Sequence, residues 1–461
     1  MEKRVGRRLV LFPLPVQGHI NPMLELAHLL YSKGFSITII QSDFNSLNPS
    51  KYPNFTFHSL FYGFSLADLK VEDFPSLAIL FNNRIKNPFK ECLAKLVRDA
   101  SESEEPIACL ISDALYYFTQ SVANSLQLPR IALRTGGSSS TLAYVAFPSL
   151  KEKGYLPTPG SQFDVEEAVA EVPPLRVKDL PLINTKHPDK FYEVICNLVN
   201  ETMVSSGVIF NTFEELESLA LAKLRQQFSI PIFSIGPFHK YFPSGSGSSN
   251  SLVTPDETCI PWLDKQEPKS VVYVSFGSLA ALAEIEMLEI AWGLANSNHP
   301  FLWVVRPGMI GGSEWLEGLP SGFVENLGGR GHIVKWAPQP QVLAHPAVGA
   351  FWTHCGWNST VESICEGVPM ICMPRFTDQL VNARYVSHVW KIGLQLEKGS
   401  ERGEIERTIR KLLEENEGKE IRERSSSLKE KAKLCLKQGG SSYHSLEALV
   451  AHILSLESIY V

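Results

Sequence analysis

A histidine stands where a buried strand should end. The apolar run that begins at Leu9 stops at Pro15, Val16-Gln17-Gly18 follows, and His19 sits directly before Ile20-Asn21-Pro22. An imidazole takes up a proton near neutral pH, and a hydroxyl must lose one before it attacks as a nucleophile. Gly18 removes a side chain that would obstruct the approach. Such a base works best when a carboxylate holds its tautomer and stabilises the imidazolium. Asp113 is placed for that task, at the end of the apolar stretch that starts at Ile107 and just before a helical segment. If both stretches are strands of one parallel sheet, their ends bring His19 and Asp113 together. On their own, His19 also reads as a hydrogen-bonded turn residue and Asp113 as a helix N-cap.

A second group of polar residues lies between Trp336 and Gln379. His354-Cys355-Gly356-Trp357 reads as a turn after a strand, and Asn358-Ser359-Thr360 as the start of a helix. The free N–H groups of a helix start, beside small hydroxyl and amide side chains, suit an anion. Gly356 lets it approach the backbone, and His354 adds a donor. Asn358 or Ser359 equally reads as a cap of the helix. Glu362 falls one turn after Asn358 on the same face. It is suited to holding a diol, or is a surface glutamate favoured near the positive helix end. Trp336 offers a flat face for a base or fills the core. Asp378-Gln379, at the end of the next strand and loop, suits neighbouring sugar hydroxyls or is a polar loop.

The elements that must position these residues alternate. Arg8–Pro13 reads as a strand and Pro22–Ser32 as a helix, with Asn21 as N-cap and Pro22 in the first helical position. Strands are expected at Phe35–Ile40, Ile107–Ile111, Arg130–Leu133 and Gly207–Phe213. The segment 238–258 is rich in Ser, Gly and Pro, which is linker composition. The alternation then restarts, with strands at Ser270–Phe276, Phe301–Val305, His332–Lys335, Gly349–Thr353 and Met370–Met373, and helices at Glu284–Asn296 and Asn358–Glu366. Short apolar strands separated by helices imply parallel sheets covered on both faces. Two α/β domains joined by a flexible link imply a cleft. Ligands of open parallel sheets lie beyond the carboxyl ends of the strands, where the polar residues above are found. From about Glu404 the tail is charged and helical, and Gly439-Gly440 precedes a last amphipathic helix.

The 461 residues are enough for two or three full cores. A net charge of −6 gives no basic footprint for nucleic acid. No stretch reaches the ~20 apolar residues that span a bilayer, so no transmembrane segment is expected. Lys3-Arg4 and Arg7-Arg8 before an apolar run resemble a signal peptide faintly. The run is short, contains Pro13 and Pro15, and lacks a small-residue cleavage site, so a strand is expected. The eight cysteines form no C-x-x-C pair. Reduced core thiols in a cytoplasmic protein are the expectation.

The 44 residues from Trp336 to Gln379 closely resemble the signature box of plant family-1 UDP-sugar glycosyltransferases. Trp336–Gln339 matches W-A-P-Q, His354–Ser359 matches H-C-G-W-N-S, and Glu362 and Asp378-Gln379 fall at the matching places. The resemblance extends to "FPLPVQGHINPMLELA", "YVSFGSL" (Tyr273–Leu279), "FLWVVRP" (Phe301–Pro307) and "GGSSYHSLEALV". It is nearest to the subgroup acting on small hydroxy acids, phenolics and terpenoids. The resemblance implies a GT-B fold, α/β, with two Rossmann-like parallel-sheet domains facing a cleft. It divides the chain into an acceptor-binding domain at 1–237, a linker at 238–258, a UDP-sugar-binding domain at 259–436 and a C-terminal helix at 437–461 that packs back on the first domain.

It also implies roles. Trp336 would stack on uracil, with Ala337 and Gln339 meeting the base through the backbone. Glu362 would hold the ribose, and His354, Asn358, Ser359 and Ser278 the diphosphate, with Gly356 allowing close approach. Trp357, Asp378, Gln379 and Thr135 would contact the sugar. The final glutamine goes with glucose in this family, and a tryptophan rather than an arginine at 357 fits a neutral hexose. His19 would be the base and Asp113 its orienting partner. One in-line displacement would then give a β-glucoside from UDP-α-glucose. After Thr135 the family has a serine, whereas this chain has Gly136-Gly137.

The partners expected are UDP-glucose and a small lipophilic acceptor bearing a hydroxyl or carboxyl. The acceptor would be walled by the Phe-, Leu- and Tyr-rich segments near Phe61–Phe89 and Gly136–Phe191. A monomer is expected, with no cofactor and, since no D-x-D occurs, no metal to hold the diphosphate. Other readings are another UDP-hexose as donor, or a UDP-sugar sensor without catalysis. A dinucleotide oxidoreductase would need G-x-G-x-x-G after a strand, and a serine hydrolase G-x-S-x-G. Neither motif accompanies the strands of this chain.

Overall fold

Residues 9–12 alternate between two cores. Leu9 and Leu11 face one, with Ile37, Ile39, Cys109 and Ile111. Val10 and Phe12 face the other, with Ile40, Leu110, Phe81 and Phe89. A strand apolar on both faces belongs in the middle of a covered parallel sheet, and β1 (Arg8–Phe12) lies there. The structure is a computed structural model that describes residues 6–61, 74–101, 105–156, 165–242, 252–309, 315–316, 319, 322–397 and 399–456.

The first sheet has seven strands in the order β3-β2-β1-β4-β5-β6-β7, all paired in parallel. They are β2 (Ser36–Ser42), β3 (Phe55–Leu60), β4 (Ile107–Asp113), β5 (Arg130–Arg134), β6 (Gly207–Phe210) and β7 (Ile232–Ser234). The second sheet has six, β10-β9-β8-β11-β12-β13, again parallel. Its strands are β8 (Val271–Ser275), β9 (Phe301–Val304), β10 (Gly331–Val334), β11 (Val348–Thr353), β12 (Met370–Cys372) and β13 (Gly393–Gln395). The expected α/β class and two parallel sheets are borne out. In each sheet the chain winds outward one way, returns to the middle and winds the other way. The reversal falls between β1 and β4 in the first sheet, and between β8 and β11 in the second. A crevice opens beyond the strand ends at such a reversal.

The helices used below are α1 (Gln17–Ser32), α2 (Ser138–Val145), α3 (Glu214–Gln227), α4 (Trp357–Glu366), α5 (Asp378–Arg384) and α6 (Ser441–Ser455). Helix α1 covers one face of the first sheet through Met23, Leu26, Ala27 and Leu30. Helix α6 packs back on the same core through Leu446, Leu449 and Ile453. It is tied there by His452 Nε2 on the Ser206 carbonyl at 2.7 Å and Ser442 Oγ on the Gly236 carbonyl at 2.6 Å.

Three local expectations need correction. Helix α1 begins at Gln17, not at Pro22, so Pro22 lies inside it and Val16 is the N-cap. Asp378-Gln379 open a helix rather than close a loop. The Gly207 strand ends at Phe210, short of Phe213. The sequence reading also missed β3, β7, β13 and the 28-residue helix Phe74–Ser101, part of which falls where an acceptor-wall loop was expected. Residues 62–73 and 157–164 of those walls, and 243–251 of the linker, lie outside the described residues. Among the described residues, no helix is long and apolar enough to cross a membrane.

Candidate active site

His19 is the third residue of α1, and Asp113 is the last residue of β4. The strands β1 and β4 are neighbours in register, Phe12 opposite Ser112, so both side chains arrive at the first sheet's reversal. His19 Nδ1 lies 2.6 Å from Asp113 Oδ2. Asp113 is 1 % exposed, and its other oxygen accepts the Leu115 N–H at 2.9 Å. It therefore shapes the turn after β4 but does not cap the following helix, which starts only at Phe118. A carboxylate that only accepts places the imidazole proton on Nδ1 and leaves a lone pair on Nε2. Among the described residues no group engages Nε2.

Thr135 follows β5, whose register with β4 sets Leu133 opposite Asp113. Its Oγ1 lies 3.0 Å from the same His19 Nδ1. Arg134, one residue earlier, is buried behind this pair and donates from Nε to Thr141 Oγ1 at 3.2 Å. Burial lowers its pKa, while Tyr144, Asp113 and Asp378 pull it back up. The sequence reading did not single out this arginine.

At the second sheet's reversal, β11 ends at Thr353 and α4 begins at Trp357, with Gly356 as N-cap and no side-chain cap. The capping alternative for Asn358 and Ser359 therefore falls away. The first intrahelical bond runs from the Thr360 N–H to the Gly356 carbonyl. The N–H groups of Trp357, Asn358 and Ser359 thus precede the helical ladder and are open to an anion. The His354 ring is packed between two glycines. A Cβ on Gly356 would fall 2.5 Å from its Nε2, and one on Gly277, at φ 72°, 2.6 Å from the ring. Burial pushes the His354 pKa down to about 4. It is thus a neutral hydrogen-bonding group rather than a cation near pH 7. Ser278 lies on the same loop as Gly277, whose carbonyl accepts Arg306 Nε at 3.3 Å.

Gln339 binds this cluster together by its side chain. Its Nε2 donates to Ser359 Oγ at 2.9 Å and to Glu362 Oε2 at 2.7 Å, and its Oε1 accepts from Tyr273 OH at 3.2 Å. Its backbone N–H is turned onto the Ala337 carbonyl at 2.9 Å. Burial raises the Glu362 pKa to about 7, against the Gln339 bond and Lys240, which lower it. Glu25 on α1 is raised to about 8 by burial and by Glu362. Trp336 is half-exposed, and a cavity of about 450 Å³ opens beside it, lined also by Thr254, Asp256, Trp315, Val334 and Lys335.

The lobes meet at α4. Asn358 Nδ2 donates to the Gly18 carbonyl at 2.8 Å. Trp357 is 4 % exposed, and its indole N–H donates to the Asn211 carbonyl at 2.9 Å. Its ring is therefore turned to the first lobe, away from open space. Asp378 Oδ2 would lie 3.6 Å from a Cβ on Gly136, which sets the carboxylate beside the Thr135 loop. Burial raises the Asp378 pKa, opposed by Thr377, Arg134, Asn382 and His19. Thr377, the residue before α5, is held at φ 52°, which costs a β-branched residue strain. Its N–H is fastened to the Leu182 carbonyl of the first lobe at 2.8 Å. Gln379 is buried, with Oε1 accepting the Arg375 N–H at 2.9 Å. The structure thus gathers His19, Asp113, Thr135 and Asp378 at one point and His354, Ser359, Glu362 and Gln339 beside it, with Trp336 at the far edge. Among the described residues, no group of three or more His, Cys, Asp or Glu side chains is placed to hold a metal ion.

The chain is similar in sequence and fold to known proteins. The profile of the family described as "UDP-glucoronosyl and UDP-glucosyl transferase" matches residues 261–433. UDP-glycosyltransferase 76B1 of Arabidopsis thaliana is 51% identical over 460 residues, 99% of this chain and 100% of that protein. UDP-glycosyltransferase 76C4 of the same plant is 50% identical over 458 residues, with 99% and 100% covered. Among solved structures, Phytolacca americana UGT2 complexed with UDP-2fluoro-glucose and pterostilbene is similar with a TM-score of 0.81 at 28% identity, over 97% of this chain and 100% of that one.

Proposed function

The chain belongs to the UDP-glucoronosyl and UDP-glucosyl transferase family and is a plant-type UDP-glycosyltransferase; from that premise we propose that it transfers glucose from UDP-glucose, with inversion, to a hydroxyl or carboxyl of a small lipophilic metabolite. The acceptor is a phenolic, a hydroxy acid or a terpenoid. The similar Phytolacca protein, whose complex holds UDP-2fluoro-glucose and pterostilbene, supports both the donor and the acceptor class.

The observation that carries the reading is the 2.6 Å pair of His19 Nδ1 and Asp113 Oδ2, which leaves Nε2 to act. The acceptor O–H gives its proton to Nε2, and Asp113 stabilises the resulting imidazolium. The acceptor oxygen forms a bond to the anomeric carbon from the face opposite the leaving group. The bond from that carbon to the β-phosphate oxygen breaks, and its electron pair leaves with UDP. The open N–H groups at the start of α4, with Asn358, His354 and Ser278, receive the charge that develops there. Trp336 takes the uracil beside Ala337, Gln339 holds Glu362 for the ribose, and Asp378, Gln379 and Thr135 take sugar hydroxyls.

The test is transfer from UDP-glucose to a panel of hydroxy acids, phenolics, flavonoids and terpenoids, read by mass spectrometry, in wild type and His19→Ala. The reading predicts glucosides in the first and almost none in the second. Equal products from both would remove His19 as base, and none from either would favour a sensor.

A further inference from the structure

Glu217 is a buried carboxylate, 2 % exposed, that no step above uses. It lies in α3 where the helix is interrupted, at φ −124° and ψ 33°. Its Oε2 accepts the Ser138 N–H at 2.9 Å and its Oε1 the Ser139 N–H at 2.8 Å. These are the first two N–H groups of α2, which the helix itself cannot satisfy. The N-cap of α2 is Gly137, which has no side chain to do so.

The reason for that glycine is space. Gly137 has φ −67°, which any residue adopts. A Cβ there would fall 2.9 Å from Trp357 Cζ3 and 3.0 Å from Glu217 Oε1. The backbone at 137 is thus pinched between an indole of the second lobe and a carboxylate of the first. A local Ser or Asp cap would keep Trp357 out. The cap is supplied instead from 79 residues along the chain by a charged group, which makes the stronger hydrogen bonds. The segment so fixed runs straight back to Thr135, 3.0 Å from His19 Nδ1, and to Gly136 beside Asp378.

We propose that Glu217 is a positioning residue for glycosyl transfer: by capping α2 across the Trp357 contact, it sets the Thr135–Gly137 backbone between the base of one lobe and the sugar-side residues of the other. The inference rests on the roles given above to His19, Thr135 and Asp378.

The test compares Glu217→Gln and Gly137→Ala with wild type and His19→Ala, measuring kcat, KM for UDP-glucose, melting temperature and the ratio of free glucose to glucoside. Glu217→Gln turns an NH2 toward one N–H and loses that bond. Gly137→Ala keeps the carboxylate but drives a Cβ against it and against Trp357, disturbing the same backbone by volume. Both are expected to lower kcat by about 10- to 100-fold with KM for UDP-glucose held within about twofold. Both also raise the share of free glucose, because a displaced acceptor leaves the sugar to water. A merely structural role lowers the melting temperature without moving that ratio. If His19→Ala is inactive while both variants turn over and partition like wild type, this inference falls and the base assignment stands. If His19→Ala retains transfer, the base assignment falls first. If Glu217→Gln does not fold, Glu217→Asp, which keeps the carboxylate but draws it back from the Ser138 and Ser139 N–H groups, is read in its place by the same ratio.

Discussion

The side-chain amide of Asn358 donates to the carbonyl of Gly18 across 2.8 Å, joining the start of α4 in one lobe to the start of α1 in the other. The Gly18 carbonyl is available because residue 22 is proline. In a regular helix that carbonyl would accept from the N–H four residues on, which Pro22 lacks. An interruption in one helix is thus satisfied by a residue of another lobe. Among the described residues, the Asn358 Oδ1 is buried without a hydrogen-bond partner. The same amide is the one assigned above to the diphosphate, so donor binding and the lobe contact draw on one group.

Coupling between residues 22 and 358 follows. In wild type, Asn358→Ala leaves the Gly18 carbonyl without a protein donor, at a cost of about 0.5–1.5 kcal/mol. In a Pro22→Ala background the restored N–H at 22 takes the carbonyl, and the same substitution should cost almost nothing. A double-mutant cycle on urea unfolding of the donor-free protein measures this. Strictly additive effects would mean that the proline does not free the carbonyl for its partner.

Asp113→Asn separates orientation from binding. The amide keeps the size of the side chain but not its charge, and it no longer secures the Nδ1–H tautomer. UDP-glucose affinity by calorimetry should stay within about twofold, while kcat falls by about 10²- to 10⁴-fold. Unchanged turnover would mean that the 2.6 Å contact is structural only.

The Glu362 carboxyl is held at a pKa of about 7, chiefly by burial. Its neutral form persists to that pH, and a ribose diol donates better to the charged form. UDP affinity should therefore improve as pH rises from 6 to 8 and flatten above. Glu362→Gln should bind more weakly at pH 8 and lose most of that slope. A slope that survives the substitution would place its origin elsewhere.

How much of this was legible in the sequence depended on range. Central strands were readable because both faces are apolar, as at Ile107–Asp113, where every residue is buried. The edge strand β3, with Thr56 and Ser59 exposed, carries no such signal. Pro22 pointed to a helix start by the usual local preference. The structure overrides it because the compensating donor comes from Asn358, far along the chain. The resemblance gave Gln339 a role through its backbone; that its side chain also pins Ser359 and Glu362, 20 and 23 residues away, has no local signal in the sequence. Glu217 sits in a run of glutamates that reads as an ordinary exposed helix start. Only the fold turns that one residue inward onto α2.

The last prediction concerns Glu25 and has a definite sign. Its pKa is raised to about 8 by burial and by Glu362, from the usual 4.5. Below pH 4.5 both folded and unfolded chains hold the proton, and the residue has no effect on their balance. As pH rises toward 8 the unfolded chain releases it and the folded one does not, so stability is lost progressively and no further above 8. Glu25→Gln cannot ionise and should recover that loss. Its melting temperature should match wild type near pH 5 and exceed it by roughly 2–4 °C at about pH 8.5. Part of the wild-type loss should also vanish in Glu362→Gln, because the carboxylate that repels Glu25 is gone. A melting temperature for Glu25→Gln that tracks wild type from about pH 5 to 8.5 would show that burial and the Glu362 charge do not hold Glu25 neutral in solution.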